Sequence, residues 1–140
     1  MSAAYPFQIR SAQDYRAACA EARENPEAFW AGVAEHFRWK RKWDKVLDWN
    51  FEEPRIEWFK GAQLNITENC LDRHLDARGD QPALIFEPND PSDRARVLSY
   101  RELHVKVMQF AQVLKNNGVQ KGDRVCLYLG MIPELAIAVL

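Results

Sequence analysis

The C-terminal stretch of the chain is almost entirely apolar, and it constrains the fold more than any other segment. Residues 124–129 are Arg-Val-Cys-Leu-Tyr-Leu, a nearly continuous apolar run of strand length. Pro133 and Glu134 then begin a helix, since proline suits the first helical position and a carboxylate suits the positive end of the helix dipole. An apolar strand followed at once by a helix is typical of a sheet that is buried on both faces.

A strongly signalled helix precedes this strand. Ser99 and Glu102 form a capping box, and apolar residues recur on one helical face after it: Leu103, Val107, Phe110, Ala111 and Leu114. Asn117 and Gly118 end the helix. The order of helix, glycine turn, buried strand and helix predicts the first part of a wound α/β sheet.

The helix that begins at Pro133 has no closing signal within the chain. No glycine, asparagine or basic last turn follows it, and residues 135–140 place apolar side chains on all sides of a helix. We therefore expect the chain to be cut from a larger protein that covers these faces. If they stay uncovered, the side chains available for self-association are Leu135, Ile137, Val139 and Leu140.

The first third of the chain is helical and rich in aromatic residues. Ser11 caps a predicted helix over residues 12–24, and Asn25-Pro26-Glu27 starts a second one that runs to about Phe37 or Arg41. All five tryptophans lie between Trp30 and Trp58. Residues 43–59 show little periodicity, which predicts an extended, irregular strap that pins its large rings against a bigger body.

The middle of the chain predicts one helix and one hairpin. Asn65 and Glu68 fit a helix start, and Gly79 is expected to close that helix in the left-handed conformation. Residues 83–86 and 95–98 are short apolar runs on either side of a loop rich in proline, aspartate and asparagine. They are expected to pair as the two strands of a hairpin.

Composition narrows the class of protein. The chain is 47% hydrophobic and 28% charged, as in soluble globular proteins, and its net charge of −1 argues against binding to nucleic acid or an anionic membrane. Its three cysteines, in no paired spacing, predict reduced thiols rather than disulfides or a zinc site. No secretory signal and no apolar run of membrane-spanning length is present, so a cytoplasmic location is expected.

Two polar clusters could carry chemistry. Residues 38–45 interleave basic and tryptophan side chains, which could stack on single-stranded nucleic acid, although solvated bases and inward-packed rings are the favoured alternative. His74 lies near Asp72, Asp76 and Asp80, but positions 72, 74 and 76 point in different directions on a helix. A solvated helix is therefore favoured over a metal site or an acid–base pair.

The remaining candidates also favour structural roles. His36 and His104 lack a histidine or cysteine partner at ligand spacing. Cys70 and Cys126 lie among apolar residues and are expected to be small core residues, and residues 118–123 are expected to form a plain turn. We therefore predict no catalytic, cofactor-binding or metal-ligating residue in this chain.

Three segments nevertheless resemble a known family. Residues 58–75, Trp-Phe-Lys-Gly-Ala-Gln-Leu-Asn-Ile-Thr-Glu-Asn-Cys-Leu-Asp-Arg-His-Leu, resemble the N-terminal signature of AMP-forming acetyl-coenzyme A synthetases. Residues 98–103 resemble the first core motif of the adenylate-forming superfamily, and residues 118–134 resemble the segment that follows it. Gly130 stands where these enzymes usually carry proline. Ala62 is also similar to the pattern of acetoacetyl-coenzyme A synthetases, whereas residues 69–75 are similar to the acetyl and propionyl enzymes.

The resemblance implies a fold and an activity for the parent protein. Residues 1–61 are expected to be a helical and aromatic extension, and residues 62–140 the truncated start of the large AMP-binding domain, so that the chain is an α/β N-terminal fragment of the synthetase. The family makes acetyl-coenzyme A from acetate, ATP and coenzyme A through an acetyl-adenylate, with Mg²⁺ on the phosphates. Its phosphate loop, nucleotide motifs and catalytic lysine all follow Leu140, so the chain alone is expected to be inactive and to bind no cofactor. Its partner is then the rest of the same polypeptide; a free-standing domain that docks on another protein is the alternative.

Overall fold

A computed structural model describes residues 9–140, and these form two compact units. The N-terminal unit extends to Asn65, and the C-terminal unit runs from Ile66 to Leu140. Helices and strands are mixed along both units, which confirms the predicted α/β class. No helix in the described part of the chain is both long and apolar enough to cross a membrane.

The N-terminal unit begins with two helices that share a cap residue. The Ser11 hydroxyl accepts a hydrogen bond from the Asp14 amide and opens α1 (Ala12–Glu24), as predicted. The Asn25 amide donates to a carbonyl of α1, while its side chain accepts from the first turn of α2 (Pro26–Ala34).

Helix α2 ends at Ala34, earlier than the predicted end at Phe37 or Arg41. The Phe37 amide and the Trp39 indole nitrogen both donate to the Ala34 carbonyl, at 3.1 and 2.7 Å. The sequence carries no proline or glycine at this point. The helix stops because the indole folds back and satisfies a carbonyl that the next helical turn would have used.

Residues 43–59 do not form an irregular strap, and this prediction was wrong. They contain an antiparallel hairpin of β1 (Lys45–Asn50) and β2 (Arg55–Lys60), in which Trp49 faces Ile56 and Leu47 faces Trp58. The Asn50 side chain accepts hydrogen bonds from the amides of Glu52 and Glu53, which makes the tight turn. Cross-strand pairs hold this hairpin, so alternation within either strand is a poor signal for it.

The C-terminal unit begins with a broken helix instead of the single helix predicted over this region. The structure has α3 (Ile66–Cys70), a 3-10 turn at Asp72–His74, and α4 (Leu75–Arg78). Gly79 is right-handed, with φ −49° and ψ −39°, so the predicted left-handed closure was also wrong. A side chain at this position would collide with the Arg101 guanidinium and the Leu75 carbonyl, and glycine therefore permits a close approach.

The hairpin and the long helix of this unit confirm the sequence analysis. Strands β3 (Pro82–Phe86) and β4 (Arg96–Ser99) pair antiparallel, and α5 (Tyr100–Asn116) follows at once. The Ser99 amide donates to the Glu102 carboxylate at 2.8 Å, and the Glu102 amide donates back to the Ser99 hydroxyl at 3.2 Å, which completes the capping box. Gly118, at φ +83°, closes the helix.

A small apolar core holds the C-terminal unit together. Leu71, Leu103 and Val107 are buried at its centre, and Leu71 is only 2% exposed. Side chains from both strands and from α6 (Pro133–Val139) pack around these three: Ala83, Leu84, Leu98, Tyr100, Ile137 and Leu140. The proline-initiated helix predicted at the C-terminal end is therefore confirmed, and it contributes to this core.

The predicted buried strand at residues 124–129 is not observed. This segment pairs with no strand among the described residues, and Val125, Tyr128 and Leu129 are 48%, 99% and 47% exposed. A strand needs neighbouring strands to bond its amides and carbonyls, and β3 and β4 pair only with each other. Residues 124–129 are largely apolar, but no strand that would bury them is found in residues 9–140.

Candidate functional site

The main candidate site is an uncovered apolar surface around α6, which we call the α6 surface. One groove of about 450 Å³ lies between α6 and β3 and is lined by apolar residues that include Leu84, Phe86, Met131, Pro133, Leu135 and Val139. A second groove of about 420 Å³ lies between α6, α5 and the unpaired segment, and its lining includes Val107, Phe110, Leu114, Val125, Leu127 and Ile137. Neither groove has an ionisable residue in its lining.

Two polar contacts hold α6 in place beside these grooves. The Arg96 guanidinium of β4 donates two hydrogen bonds to the Glu134 carboxylate, and it also lies 5.1 Å from the centre of the Phe86 ring. Arg96 therefore holds the pKa of Glu134 below its usual range. At the other end of the helix, the Thr67 hydroxyl donates to the Leu140 carbonyl at 2.6 Å. These contacts fix α6 at both of its ends, so the α6 surface has a defined shape.

This arrangement can bury apolar groups but offers no group for proton transfer or nucleophilic attack. Its lining consists of aliphatic, aromatic and thioether side chains together with backbone. Burying such side chains stabilises a contact by roughly 25 cal/mol per Å² of apolar area. The chemistry of the α6 surface is therefore that of packing against other protein.

The histidines and aspartates considered for catalysis do not converge. The His104 Nε2 lies 3.4 Å from an Asp72 oxygen, while the His74 ring packs 5.4 Å from the Tyr100 ring. Asp80 instead accepts a hydrogen bond from Arg101. Within residues 9–140, no group of three or more histidine, cysteine, aspartate or glutamate side chains could hold a metal ion. Asp72, His74 and Asp80 thus each contact a different residue of α5 and do not share one centre.

The basic and aromatic segment at residues 38–45 packs its rings inward. Trp39 and Trp43 lie 5.5 and 5.1 Å from the Phe59 ring and 5.3 Å from each other. Arg41 pairs with Asp44 through two hydrogen bonds of 2.9 Å. The faces that would stack on bases are used within the unit, and this geometry matches the favoured alternative.

The two cysteines predicted to be buried are exposed, whereas the predicted glycine turn is present. Cys70 and Cys126 are both exposed, because Leu71 takes the buried position beside Cys70 and the segment that carries Cys126 has no sheet around it. The prediction of two core cysteines was wrong. Gly118 and Gly122 both have positive φ, and the Gln120 amide donates to Asp123 at 2.7 Å, so residues 118–123 are a turn as predicted.

Sequence reasoning missed one polar cluster, on the β1–β2 hairpin. The Asp48 carboxylate accepts hydrogen bonds from Lys60, Lys45 and Arg55 at 3.0, 3.1 and 2.9 Å. These three cations, Lys60 first, hold the pKa of Asp48 far below its usual range. The cluster depends on strand register, so only a correct hairpin prediction could have found it.

Comparisons with known proteins show the family to which the chain belongs. Residues 71–140 match the family model described as AMP-binding enzyme, and residues 15–70 match the model described as acetyl-coenzyme A synthetase N-terminus. The chain belongs to the AMP-binding enzyme family. The curated relatives that it matches include acetyl-coenzyme A synthetases, in agreement with the resemblance seen in its motifs.

The relatives are much longer than this chain. It is 50% identical over 118 residues to the acetyl-coenzyme A synthetase of Magnetococcus marinus, covering 84% of the chain and 18% of the relative. It is 46% identical over 127 residues to that of Bdellovibrio bacteriovorus, covering 90% and 20%. A solved structure, acetoacetyl-CoA synthetase from Streptomyces lividans, superposes with a TM-score of 0.79 at 30% identity, covering 94% of this chain and 20% of that one. The chain therefore spans about one fifth of the length of the relatives that it matches.

Proposed function

We propose that this chain is the N-terminal part of an AMP-forming acetyl-coenzyme A synthetase. One observation carries the proposal: two consecutive family models, the synthetase N-terminus and the AMP-binding enzyme, together match residues 15–140. The identity of 46–50% to acetyl-coenzyme A synthetases supports acetate as the acyl substrate. A cytoplasmic location follows from the same assignment and remains part of the proposal.

The proposed parent reaction has two steps. Acetate attacks the α-phosphorus of ATP, which forms acetyl-adenylate and releases pyrophosphate, while Mg²⁺ neutralises phosphate charge. The thiol of coenzyme A then attacks the acetyl carbonyl and displaces AMP. No residue of this chain is assigned to either step, so the chain alone is expected to be inactive and to bind neither nucleotide nor coenzyme A.

The proposed role of the chain is architectural. Residues 1–61 are the proposed N-terminal extension, which includes the β1–β2 hairpin as well as α1 and α2, and residues 62–140 are proposed to begin the large AMP-binding domain. The α6 surface and the unpaired residues 124–129 are buried in that domain by later parts of the same polypeptide. The exposed apolar side chains and unused backbone groups of residues 124–129 support this role, because both gain free energy when strands are added beside them.

A different acyl substrate is the second candidate. Ala62 follows the Trp-Phe-Lys-Gly segment as in acetoacetyl-coenzyme A synthetases, and the solved structure with which the chain superposes is described as such an enzyme. Propionate is the third acyl group that the motifs leave open. The higher identity to acetyl-coenzyme A synthetases favours acetate over acetoacetate.

A chimeric enzyme tests the proposal. The chain replaces the corresponding N-terminal segment of the Magnetococcus marinus synthetase, and pyrophosphate release is measured with ATP, Mg²⁺, coenzyme A and each of three acids: acetate, propionate and acetoacetate. We expect acetate-dependent release from the chimera and none from the chain alone. A soluble, folded chimera that is inactive would contradict the proposal. Because no residue of this chain is assigned to acid binding, the choice among the three acids is tested by the same assay on the full parent enzyme, where preference for acetoacetate or propionate would select the corresponding alternative.

A matched pair of variants tests the architectural role in the same chimera. Val139→Asp places a charge at an exposed residue that lines both grooves and lies outside the core, whereas Met108→Glu places one on the exposed side of α5, outside both grooves. Because a buried charge without a partner is strongly unfavourable, Val139→Asp is expected to abolish soluble chimera and Met108→Glu to leave it unchanged. Equal yields of the two would contradict burial of the α6 surface.

A further inference from the structure

The segment Trp58–Gly61 at the end of β2 is strained. Phe59 has φ +49°, which a bulky side chain rarely adopts, and Gly61 has φ +77°. The Ala62 amide donates to the Phe59 carbonyl at 3.0 Å, so the chain reverses tightly here. This segment opens the signature recognised in the sequence, and the proposed function gives it no role of its own. Non-glycine residues in this conformation persist only where surrounding contacts enforce them.

Backbone hydrogen bonds join this turn to a segment about twenty residues earlier. The Asp44 amide donates to the Lys60 carbonyl at 2.9 Å. Arg41 and Gln63 exchange hydrogen bonds at 3.1 and 2.9 Å and form an isolated bridge. These bonds continue beyond the end of the β1–β2 pairing, which stops at Lys45 and Lys60.

One arginine closes the arrangement. Arg41 Nη1 donates to the Gly61 carbonyl at 2.8 Å, while Nη2 donates to both oxygens of Asp44 at 2.9 Å. A Cβ atom on Gly61 would overlap the Asp44 carboxylate and push it aside, and the φ of +77° favours glycine as well. We call these three residues, Arg41, Asp44 and Gly61, the latch.

The latch is exposed, and the neighbouring Phe59 ring packs against two tryptophans. The side chains of Arg41 and Asp44 are 53% and 63% exposed, so water competes for their hydrogen bonds. The Phe59 ring packs against Trp39 and Trp43, which also contact each other, with centroid distances of 5.5 and 5.1 Å. The backbone at Phe59 is thus held by ring packing, whereas Gly61 is held by the solvent-exposed pair of Arg41 and Asp44.

We propose that the latch is a conformational device: it opens locally, releasing residues 40–44 from residues 60–63, while the β1–β2 hairpin stays paired. The inference goes beyond the proposed function, since it concerns the N-terminal unit whatever acid the parent enzyme activates. Regions with exposed hydrogen bonds and few buried contacts open at lower free energy than the element beside them. Phe59 lies between Trp58 and Lys60, which both pair with β1, so its backbone conformation is kept when the latch opens.

Native-state hydrogen exchange of the 140-residue chain tests the proposal. The amides of Asp44, Ala62 and Gln63 are expected to exchange faster than those hydrogen-bonded in the β1–β2 ladder. Arg41→Met removes three hydrogen bonds but keeps the aliphatic stem, and it is expected to speed exchange at these amides by about tenfold. The ladder amides and those of α1 are expected to stay within twofold of their original rates.

Lys42→Met is the matched control, because Lys42 is the neighbouring cation and pairs with Glu35 instead. It is expected to change none of these rates by more than twofold. Equal acceleration by both variants would overturn the proposal, since lost charge alone would then explain the effect. Latch and ladder amides that exchange at one common rate, and rise together in Arg41→Met, would overturn it as well.

A double-mutant cycle checks the contact at Gly61. Gly61→Ala is expected to accelerate latch exchange strongly in the original chain, because its Cβ displaces the Asp44 carboxylate. In an Asp44→Ala background the same change meets only the φ penalty, so the acceleration is expected to be at least fivefold smaller. Additive effects of the two substitutions would contradict the assigned contact. Asp44→Ala by itself leaves the backbone unaltered and keeps the test usable if Gly61→Ala does not fold.

Discussion

Arg96 on β4 and Glu134 on α6 form a two-pronged ion pair, with nitrogen–oxygen distances of 2.8 and 3.1 Å, across 38 residues of sequence. Both side chains are about half exposed, so the pair orients the helix more than it stabilises the unit. It connects the first turn of α6 to the β3–β4 hairpin and so helps to shape the groove between them. The contribution of this ion pair to the stability of the unit is expected to depend on pH.

We predict that this pair loses its contribution as the solution is acidified. Arg96 lowers the folded-state pKa of Glu134, so the contribution is fully present above the unfolded value of about 4.3 and is lost as pH falls through the folded pKa. Circular dichroism melts of the chain and of Arg96→Met should therefore differ at pH 7 and converge below pH 4. Arg94→Met, in the preceding loop, is the control and should match the original chain throughout. A difference that grows on acidification would contradict the assignment.

The buried Leu71 is expected to be the most sensitive position in the C-terminal unit. Leu71→Ala removes a side chain that is 2% exposed and leaves a cavity beside Leu103 and Val107, which costs about 2–5 kcal/mol. A unit of this size has little stability to spare, so much of it should be unfolded at 37 °C. Urea titration followed by far-ultraviolet circular dichroism measures the change. Val105→Ala on α5, at a position 48% exposed, should alter the midpoint only slightly.

The capping box of α5 gives a third prediction. Ser99→Ala removes the hydroxyl that accepts from the Glu102 amide, and it should lower the free energy of unfolding by about 1 kcal/mol. Ser99→Thr keeps the hydroxyl and should recover most of that loss. Chemical denaturation of the three proteins measures the difference. Equal stability of the alanine and threonine variants would show that the cap contributes nothing.

The Asp48 cluster gives a prediction that depends on salt. Asp48→Asn leaves Lys60, Lys45 and Arg55 facing a neutral side chain, and their mutual repulsion should lower the melting temperature of the N-terminal unit. Because salt screens these charges, the loss should shrink in 1 M sodium chloride, where the screening length is about 3 Å. Glu53→Gln in the turn is the control. A loss that is unchanged by salt would point to packing rather than charge.

Self-association tests whether the uncovered α6 surface binds a second copy of the chain. Tyr128 and Val139 are 99% and 67% exposed beside the grooves, so the isolated chain should self-associate at micromolar concentration. Tyr128→Lys combined with Val139→Glu should shift sedimentation velocity profiles towards monomer. Met108→Glu changes another exposed residue, on α5, that lines neither groove, and it should leave the profile unaltered. A monomeric original chain would refute the prediction.

Local signals in the sequence were reliable wherever the partners are close in the chain. The starts of α1, α5 and α6, the turn at residues 118–123 and the β3–β4 hairpin are all confirmed. Each depends on caps, prolines or glycines whose hydrogen-bond partners lie within a few residues. The β1–β2 hairpin was missed because its tryptophans pair across strands, which a pattern along one strand does not show.

The absence of a catalytic cluster from this chain remains a prediction. For the candidate residues around His74, it rests on their spacing along the sequence. Asp72, His74 and Asp76 lie on the broken helix, and their spacing alone already argued that they point apart. The Asp48 cluster shows the opposite case. Its members are separated by up to twelve residues, and only the register of β1 against β2 brings them together.

The sequence by itself determined where helices start, where glycine turns occur and which family the chain belongs to, because caps and motifs are written in consecutive residues. Only the tertiary structure decided that Gly79 serves a close contact with Arg101, that Leu71 rather than Cys70 is buried, and that residues 124–129 lie exposed. These outcomes depend on which distant surfaces meet. Burial and strand pairing are properties of two surfaces together, and a run of apolar residues specifies only one of them.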